Sequence, residues 1–271
     1  MYIYDWSEHL PLDCWNTIFD YLGLEGQIRF TQVCKTLKNK IFVTDLLNID
    51  NNLKVKLTRE IVKKYPNIKK LYAPSYSGID DESLIGLNLV ELHAWNNPKI
   101  KKINHMTNLK ILHADFGSGI DDDSLVGLNL VELNAGYNPK IKKINHMTNL
   151  RILNAEANCG IDDTSLVGLN LLEELNVGAN PNIKNINHMI NLRILYAGWN
   201  SGIGDDGLIG LRGLVTLYAN HNPNIKNINH MTNLRILYAG WSSGIGDDNL
   251  IGLNLVILDT DSNPKIKKIN Y

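Results

Sequence analysis

The chain has 271 residues, 44% of them apolar and 20% charged, and a formal net charge of -1. That balance leaves no global basic field to hold nucleic acid or an anionic membrane, and no run of about 18 apolar residues is present to span a bilayer. Three scattered cysteines, Cys14, Cys34 and Cys159, fit reduced thiols in a cytoplasmic or nuclear protein better than a disulfide framework, and the opening MYIYDWSEHLPLD lacks the basic and apolar regions of a signal peptide.

Residues 10–40 read as three short helices. Pro11 suits an early helix position, where its missing N–H costs little. Leu12, Trp15, Phe19 and Leu22 follow at helical spacing with Ile18 beside them, and Gly23 stops that helix. A second helix is expected from about Glu25 to Val33 and a third from about Cys34 to Ile41. By composition alone such a unit is a cap on whatever follows. Its wording says more. Leu10-Pro11-x-Asp13, then Ile18-Phe19-x-Tyr21-Leu22, then Arg29 and Val33-Cys34-Lys35 resemble the F-box motif, LPxE/D…IFxYL…R…VCK, with Leu37 where many F-boxes carry Trp. The resemblance implies docking onto the Skp adaptor of cullin–RING ubiquitin ligases, through Leu10, Pro11, Ile18, Phe19, Leu22, Val33 and Cys34.

Next, DLLNID at 45–50 reads as a short strand. Residues 58–65 read as a helix with Thr58 as N-cap, which Pro66 prevents from continuing. From Asn67 onward one seven-residue phrase returns: NLVELHA from Asn88, NLKILHA from Asn108, NLVELNA from Asn129, NLRILNA from Asn149, and NLRILYA from Asn191 and Asn233, with weaker copies from Asn67, Leu171, Gly213 and Asn254. Start-to-start steps of 20 to 22 residues mark a solenoid. One such unit cannot bury an apolar face without neighbours. The phrase resembles the leucine-rich-repeat pattern LxxLxLxxN, with Ala for the third Leu. Counting from Leu89, positions 1, 4 and 6 are expected in the core, and positions 3, 5, 7 and 8 on the concave face. The expected architecture is an α/β leucine-rich-repeat solenoid of about 10–11 repeats with a parallel sheet over residues 44–271, preceded by an F-box-like unit over residues 1–43.

Two repeat types alternate. One ends Asn-Pro, as at Asn97-Pro98; the other carries Gly-Ile-x-Asp, as at Gly119-Ile120-Asp121-Asp122. The latter, followed by Ser-Leu-x-Gly-Leu, resembles the ITDxxLxxL segment of F-box-associated leucine-rich repeats. The position-9 asparagines read as a structural ladder, and the Asp pairs as caps of short helical turns. The INHM histidines His105, His146, His188 and His230 fall in alternate repeats, about 10 Å apart. Zinc needs its ligands at about 2 Å from one ion, so they read as structural. Lys99, Lys101, Lys102 and their counterparts form a solvated edge, and Glu91, Glu132 and Glu174 are expected to pair with Lys110, Arg151 and Arg193. No metal or cofactor is implied.

Position 5 and the two positions after the phrase vary while the framework does not. They supply His93, Trp95, His113, Phe116, Tyr137, Tyr196, Trp199, Tyr218, His221, Tyr238 and Trp241. Exposed aromatics on a sheet face are typical of binding hot spots; rings stacking only to cover the strands are the other reading. No nucleophile elbow, phosphate loop or HExxH is present. The two resemblances together imply a monomeric, non-enzymatic subunit that docks an adaptor through its helices and holds a protein target on its repeats. The alternative is an interaction scaffold whose helices only cap the solenoid. The Ile, Asn and Lys richness and near-identical repeats resemble F-box/leucine-rich-repeat proteins of giant DNA viruses of amoebae, with intracellular bacterial effectors as a second origin; either implies the host cytoplasm.

Overall fold

The computed structural model describes residues 57–267 without a break, residues 44–47, and the single positions 14, 17, 18, 21, 22 and 26. Among the described residues the chain winds into successive coils, each contributing one short strand to a single sheet of eleven parallel strands in sequence order. These are β1 (Asp45–Leu46), β2 (Lys70–Tyr72), β3 (Glu91–His93), β4 (Ile111–His113), β5 (Glu132–Asn134), β6 (Ile152–Asn154), β7 (Glu174–Asn176), β8 (Ile194–Tyr196), β9 (Thr216–Tyr218), β10 (Ile236–Tyr238) and β11 (Ile257–Asp259). The strand expected over 45–50 is seen as β1; positions 48–50 lie outside the described residues. Helix α1 (Arg59–Lys63) follows, its Thr58 cap accepting from Ile61 N at 3.4 Å as expected. Only α2 (Asp81–Leu84) joins it as a helix in the 57–267 stretch; later coils carry 3₁₀ turns there, such as Asp163–Leu166.

The register is fixed by the repeated leucine. Leu71, Leu92 and Leu112 pair in line, and the pattern continues coil by coil. Leu89, Leu92 and Ala94 are fully buried, as their positions predict, and so are their counterparts in the following coils up to β10. On the far side Ile100, Ile103 and Met106 fill the Asn-Pro coils, while Ile120, Leu125 and Leu128 fill the Gly-Ile coils. One continuous core runs the length of the array. Alanine at position 6 keeps each coil thin.

Two kinds of joint alternate between coils. In the first, a buried asparagine reaches back. Asn138 Nδ2 donates to Ala114 O at 2.7 Å and Ile120 O at 3.0 Å, while its Oδ1 accepts from Lys140 N at 3.1 Å. Asn97, Asn180, Asn222 and Asn263 repeat the arrangement. The Gly-Ile coils fill the corresponding buried place with Ser77, Ser118, Cys159, Ser201 and Ser243. Cys159 thus stands in a serine column, donating to Ala155 O at 3.1 Å, and burial pushes its thiol up to about 11. In the second joint, backbone meets backbone: Gly202 N donates to Asn180 O at 2.8 Å. A Cβ on Gly202 would lie 2.6 Å from both Ile183 O and Pro181 O, so this joint requires glycine.

The Asp pairs divide the labour expected of them. The first member caps its own turn: Asp80 Oδ1 accepts from Ser83 N at 2.9 Å and Ser83 Oγ at 2.6 Å. The Ser83 hydroxyl, with Arg59, holds that carboxyl down at about 2. The second member does not cap. Asp81 Oδ1 accepts two backbone amides of the next coil, from Lys101 at 2.6 Å and Lys102 at 2.8 Å, and Asp122, Asp163 and Asp205 do the same. Capping alone was too narrow a reading, because an exposed carboxylate at a coil edge also faces unpaired amides of its neighbour. Gly204 and Gly246 replace the capping member in later coils, yet the stapling Asp205 and Asp247 remain.

Candidate binding face

The open face of the sheet carries positions 3, 5 and 7, and the turn after each strand carries position 8. In-register parallel strands about 4.8 Å apart bring like side chains to stacking distance. Tyr196, Tyr218 and Tyr238 stack with centroids 4.3 Å apart at each step, and His93 lies on His113 at 3.9 Å. At position 8, Phe116 stacks on Tyr137 at 4.8 Å, and Trp199, His221 and Trp241 form a second run at 4.3 and 5.2 Å. Trp95 is half-buried and tied down, its Nε1 donating to Tyr72 Oη at 2.9 Å.

Position 8 carries a feature that sequence reading missed. In all nine coils from β3 to β11 its residue is left-handed, with φ between 52° and 58°. Glycine or asparagine suits that conformation, and a bulky residue there costs about 1–2 kcal/mol. Yet Phe116, Tyr137, Trp199, His221 and Trp241 occupy it, and Trp199 remains 65% exposed. Rings buried to cover strands would explain the strain by packing; rings held out in solvent are not explained that way. The absence of a glycine signal at this position hid the turn in the sequence.

The aromatic column breaks once. Ala157 and Ala179 stand between Tyr137 and Trp199, and the gap opens into a hollow of about 440 Å³ whose lining includes Glu156, Asn176, Tyr196 and Tyr218. In its lining, Glu156 accepts from Asn154 Nδ2 at 3.3 Å and from Asn176 Nδ2 at 3.1 Å. Position 7 is Gly136, Gly178 and Gly198 in the coils around it, which leaves the carboxylate uncovered.

Charge is sorted between faces. Position 3 holds Asp45, Glu91, Glu132 and Glu174, position 5 holds Asp259, and position 7 holds Asp115, Glu156 and Asp261: eight carboxylates among the described residues, against Lys70 alone. The expected pairs from this column to Lys110, Arg151 and Arg193 do not form. Those cations occupy position 2, which alternation turns away from position 3. Arg151 instead pairs with Glu173, also at position 2, and Arg193 donates to Gly213 O. Glu91 meets Lys70 at 3.3 Å and His93 at 3.0 Å, and Glu132 meets His113 at 3.3 Å. Burial pushes the Asp115 carboxyl up; its Oδ1 has no hydrogen-bond partner among the described residues.

The His93 imidazole is pushed below its ordinary value, first by burial and then by stacked His113. The folded state therefore resists a proton that the unfolded chain takes up near pH ~6.5. Stability is full above that range and falls as pH is lowered through it. A urea midpoint followed from about pH 7.5 to about pH 5 will drop more in the wild type than in His93→Asn, which installs the side chain used at Asn134 and Asn154. Parallel curves would show that His93 does not carry this pH dependence.

The INHM histidines are structural. Each directs Nε2 to a carbonyl of the preceding coil, as His230 does to Leu208 O at 3.0 Å and His146 to Leu125 O at 3.3 Å. Among the docking positions expected in the helical unit, Ile18 is 41% exposed and Leu22 half-buried, with helical backbone at Cys14, Thr17, Ile18 and Tyr21. Leu10, Pro11, Phe19, Val33 and Cys34 lie outside the described residues. No helix among the described residues is long and apolar enough to cross a membrane.

Residues 7–43 match the F-box domain family. The coils are similar in fold to an internalin, InlF, from Listeria monocytogenes, at 19% identity and a TM-score of 0.50, over 78% of this chain and 76% of that one. The chain carries an F-box domain ahead of a leucine-rich-repeat solenoid. A second internalin from the same organism, InlC2, aligns at 21% identity and a TM-score of 0.47, over 75% of this chain and 84% of that one. At such identities the likeness is one of fold. No curated protein matches the chain significantly. The F-box domain and the leucine-rich-repeat solenoid together make a protein-interaction module.

Proposed function

We propose that this chain is the substrate-recognition subunit of an SCF-type cullin–RING ubiquitin ligase. The F-box domain docks a Skp-type adaptor, and the open face of the solenoid holds a protein target. The observation that carries the reading is the F-box match at residues 7–43, with Leu10-Pro11, Ile18-Phe19, Leu22 and Val33-Cys34 in the motif's order. Exposed aromatics on strained backbone supply the second half. The chain contributes no bond-making chemistry: it raises the local concentration of a target beside ubiquitin-transferring subunits, an effect of proximity and orientation. The setting proposed is the cytoplasm or nucleus, of a host cell if the chain comes from a giant virus.

A pull-down with purified Skp adaptor tests the first half. The wild type will bind, and a Leu10/Pro11/Phe19 triple alanine variant will lose binding without changing the melting of the solenoid. Absent wild-type binding, or a variant that binds as well, leaves the helices as a cap and the chain as a scaffold. For the second half, Trp199→Ala and Tyr218→Ala will each change the set of proteins recovered from cells while the far-ultraviolet spectrum stays the same. An unchanged set under both substitutions removes these rings from the target site.

A further inference from the structure

The gap in the position-8 column has a composition that names its occupant. It begins at Tyr137 in the β5 coil and ends at Trp199 in the β8 coil, with Ala157 and Ala179 between. Three steps of sheet spacing separate the bounding rings, about 14 Å. That is too wide for one ring to be clamped, and wide enough for a peptide segment entering with a side chain. The hollow's lining includes one carboxylate, Glu156. Asn154 and Asn176 each donate one hydrogen bond to it, which fixes its plane and leaves lone pairs free. The glycines beside it keep the approach clear; a Cβ on Gly136 would come within 3.0 Å of Glu156 Cγ. No Lys or Arg borders the hollow, and the surrounding sheet face is acidic although the chain as a whole is nearly neutral.

A planar cation is the group that uses the fixed carboxylate, its clear approach and the neighbouring ring together. A carboxylate fixed by two amide donors accepts a guanidinium through two parallel bonds, while the face of Tyr137, one coil away, attracts its charge. An ammonium would use the charge but not the plane. A carboxylate or phosphate is repelled, and a purely apolar side chain would strip water from Glu156 without replacing its bonds.

We propose that this hollow binds an arginine side chain of the protein target, and that the target segment crossing the β5–β8 coils is basic. This rests on the open face being the target-binding face. It does not rest on the F-box docking an adaptor.

The probe is a labelled Gly/Ser peptide of about twelve residues, long enough to cross these coils, carrying two arginines, paired with the same peptide carrying citrulline, which keeps the shape and removes the charge. Binding to the full chain is measured by fluorescence anisotropy at low salt. The arginine peptide will bind more tightly than the citrulline peptide. Glu156→Gln will weaken it by about tenfold or more, the scale of one charge-assisted hydrogen-bonded pair, and citrulline binding will not change. Ala179→Arg, which tethers a guanidinium at the mouth of the hollow on an exposed side chain, will also abolish the preference and guards against Glu156→Gln failing to fold. Equal affinity for the two peptides, or an arginine preference that survives both substitutions, overturns the assignment. Adaptor pull-down on the same preparations separates the two claims. A wild type that binds the adaptor but shows no arginine preference removes this site alone, and a wild type that prefers arginine but does not bind the adaptor removes only the ligase reading.

Discussion

Asn180→Ala will lower the stability of the solenoid by about 3–5 kcal/mol, the sum expected when several buried partners lose their bonds at once. The side chain is fully buried. Its Nδ2 serves Ala155 O at 2.8 Å and Ile161 O at 3.2 Å, its Oδ1 accepts from Asn182 N at 2.9 Å, and it touches Cys159 Sγ at 3.3 Å. Alanine leaves Ala155 O with only the weak Cys159 thiol donor at 3.1 Å, and takes from Ile161 O and the part-buried Asn182 N the partner that Asn180 supplied. It also leaves a cavity, since neighbouring backbones are held apart by other coils. Exposed Asn182→Ala, two residues along in the same coil, keeps its backbone amide, is the control and will change stability by less than about 0.5 kcal/mol. Urea unfolding followed by circular dichroism measures both. Equal effects from the two substitutions would mean that water or a shifted backbone satisfies the ladder, and the asparagine column would lose its structural role. Because each coil touches only its neighbours, the loss will show first as a broadened transition in which the array parts near β6 and β7.

Gly202→Ala carries the second large effect, for a different reason. It adds one methyl group to the joint where two backbones touch directly. The new carbon would sit 2.6 Å from Ile183 O and 2.6 Å from Pro181 O, and neither is a side-chain end that can swing aside. Relief requires the β8 coil to lift from the β7 coil, which stretches the Gly202 N to Asn180 O bond of 2.8 Å. Overpacking together with a weakened buried hydrogen bond costs about 3 kcal/mol. The comparison is Gly127→Ala. Gly127 has φ +80° and open space around its missing Cβ, so its penalty is conformational and about 1–2 kcal/mol. Thermal melts of both variants decide: if Gly202→Ala melts no lower than Gly127→Ala, the close approach is softer than its geometry states.

These two residues also show where the sequence was legible. Repeat length, strand positions and the buried Leu/Leu/Ala set were readable because a 20- to 22-residue unit with fixed apolar letters admits few foldings. The asparagine ladder was readable for the same reason. The serine and cysteine half of that column was not, because small hydroxyl residues are equally at home on a surface, and only a coil-by-coil overlay places Cys159 beside Ser118 and Ser201. The pairing of Glu91, Glu132 and Glu174 was misjudged by one position along the strand, which on a sheet is the opposite face. In the candidate site, the stacked rings followed from the register. The left-handed backbone beneath Phe116, Tyr137 and Trp199 did not, since aromatic residues ordinarily signal the reverse. The hollow at Glu156 depends on what is missing at Ala157 and Ala179, and a gap is visible only once the column around it is seen.

The alternation of an asparagine joint with a glycine joint sets how this chain can grow. Inserting one coil would place two asparagine coils or two glycine coils face to face, leaving one interface with unpaired carbonyls or with no donor reaching across. Inserting two restores both joints. The successive asparagines of the ladder are 41 or 42 residues apart, so the quantum of lengthening or loss is a pair of coils. Residues 196–211 and 238–253, nearly identical and offset by 42, look like the product of one such duplication, and it copied the tyrosine and tryptophan of one pair onto the next. Extension by whole pairs lengthens the binding face without redesigning its core. A change in reach can then come from a single recombination event, while a change in specificity has to come from substitutions at positions 5, 7 and 8.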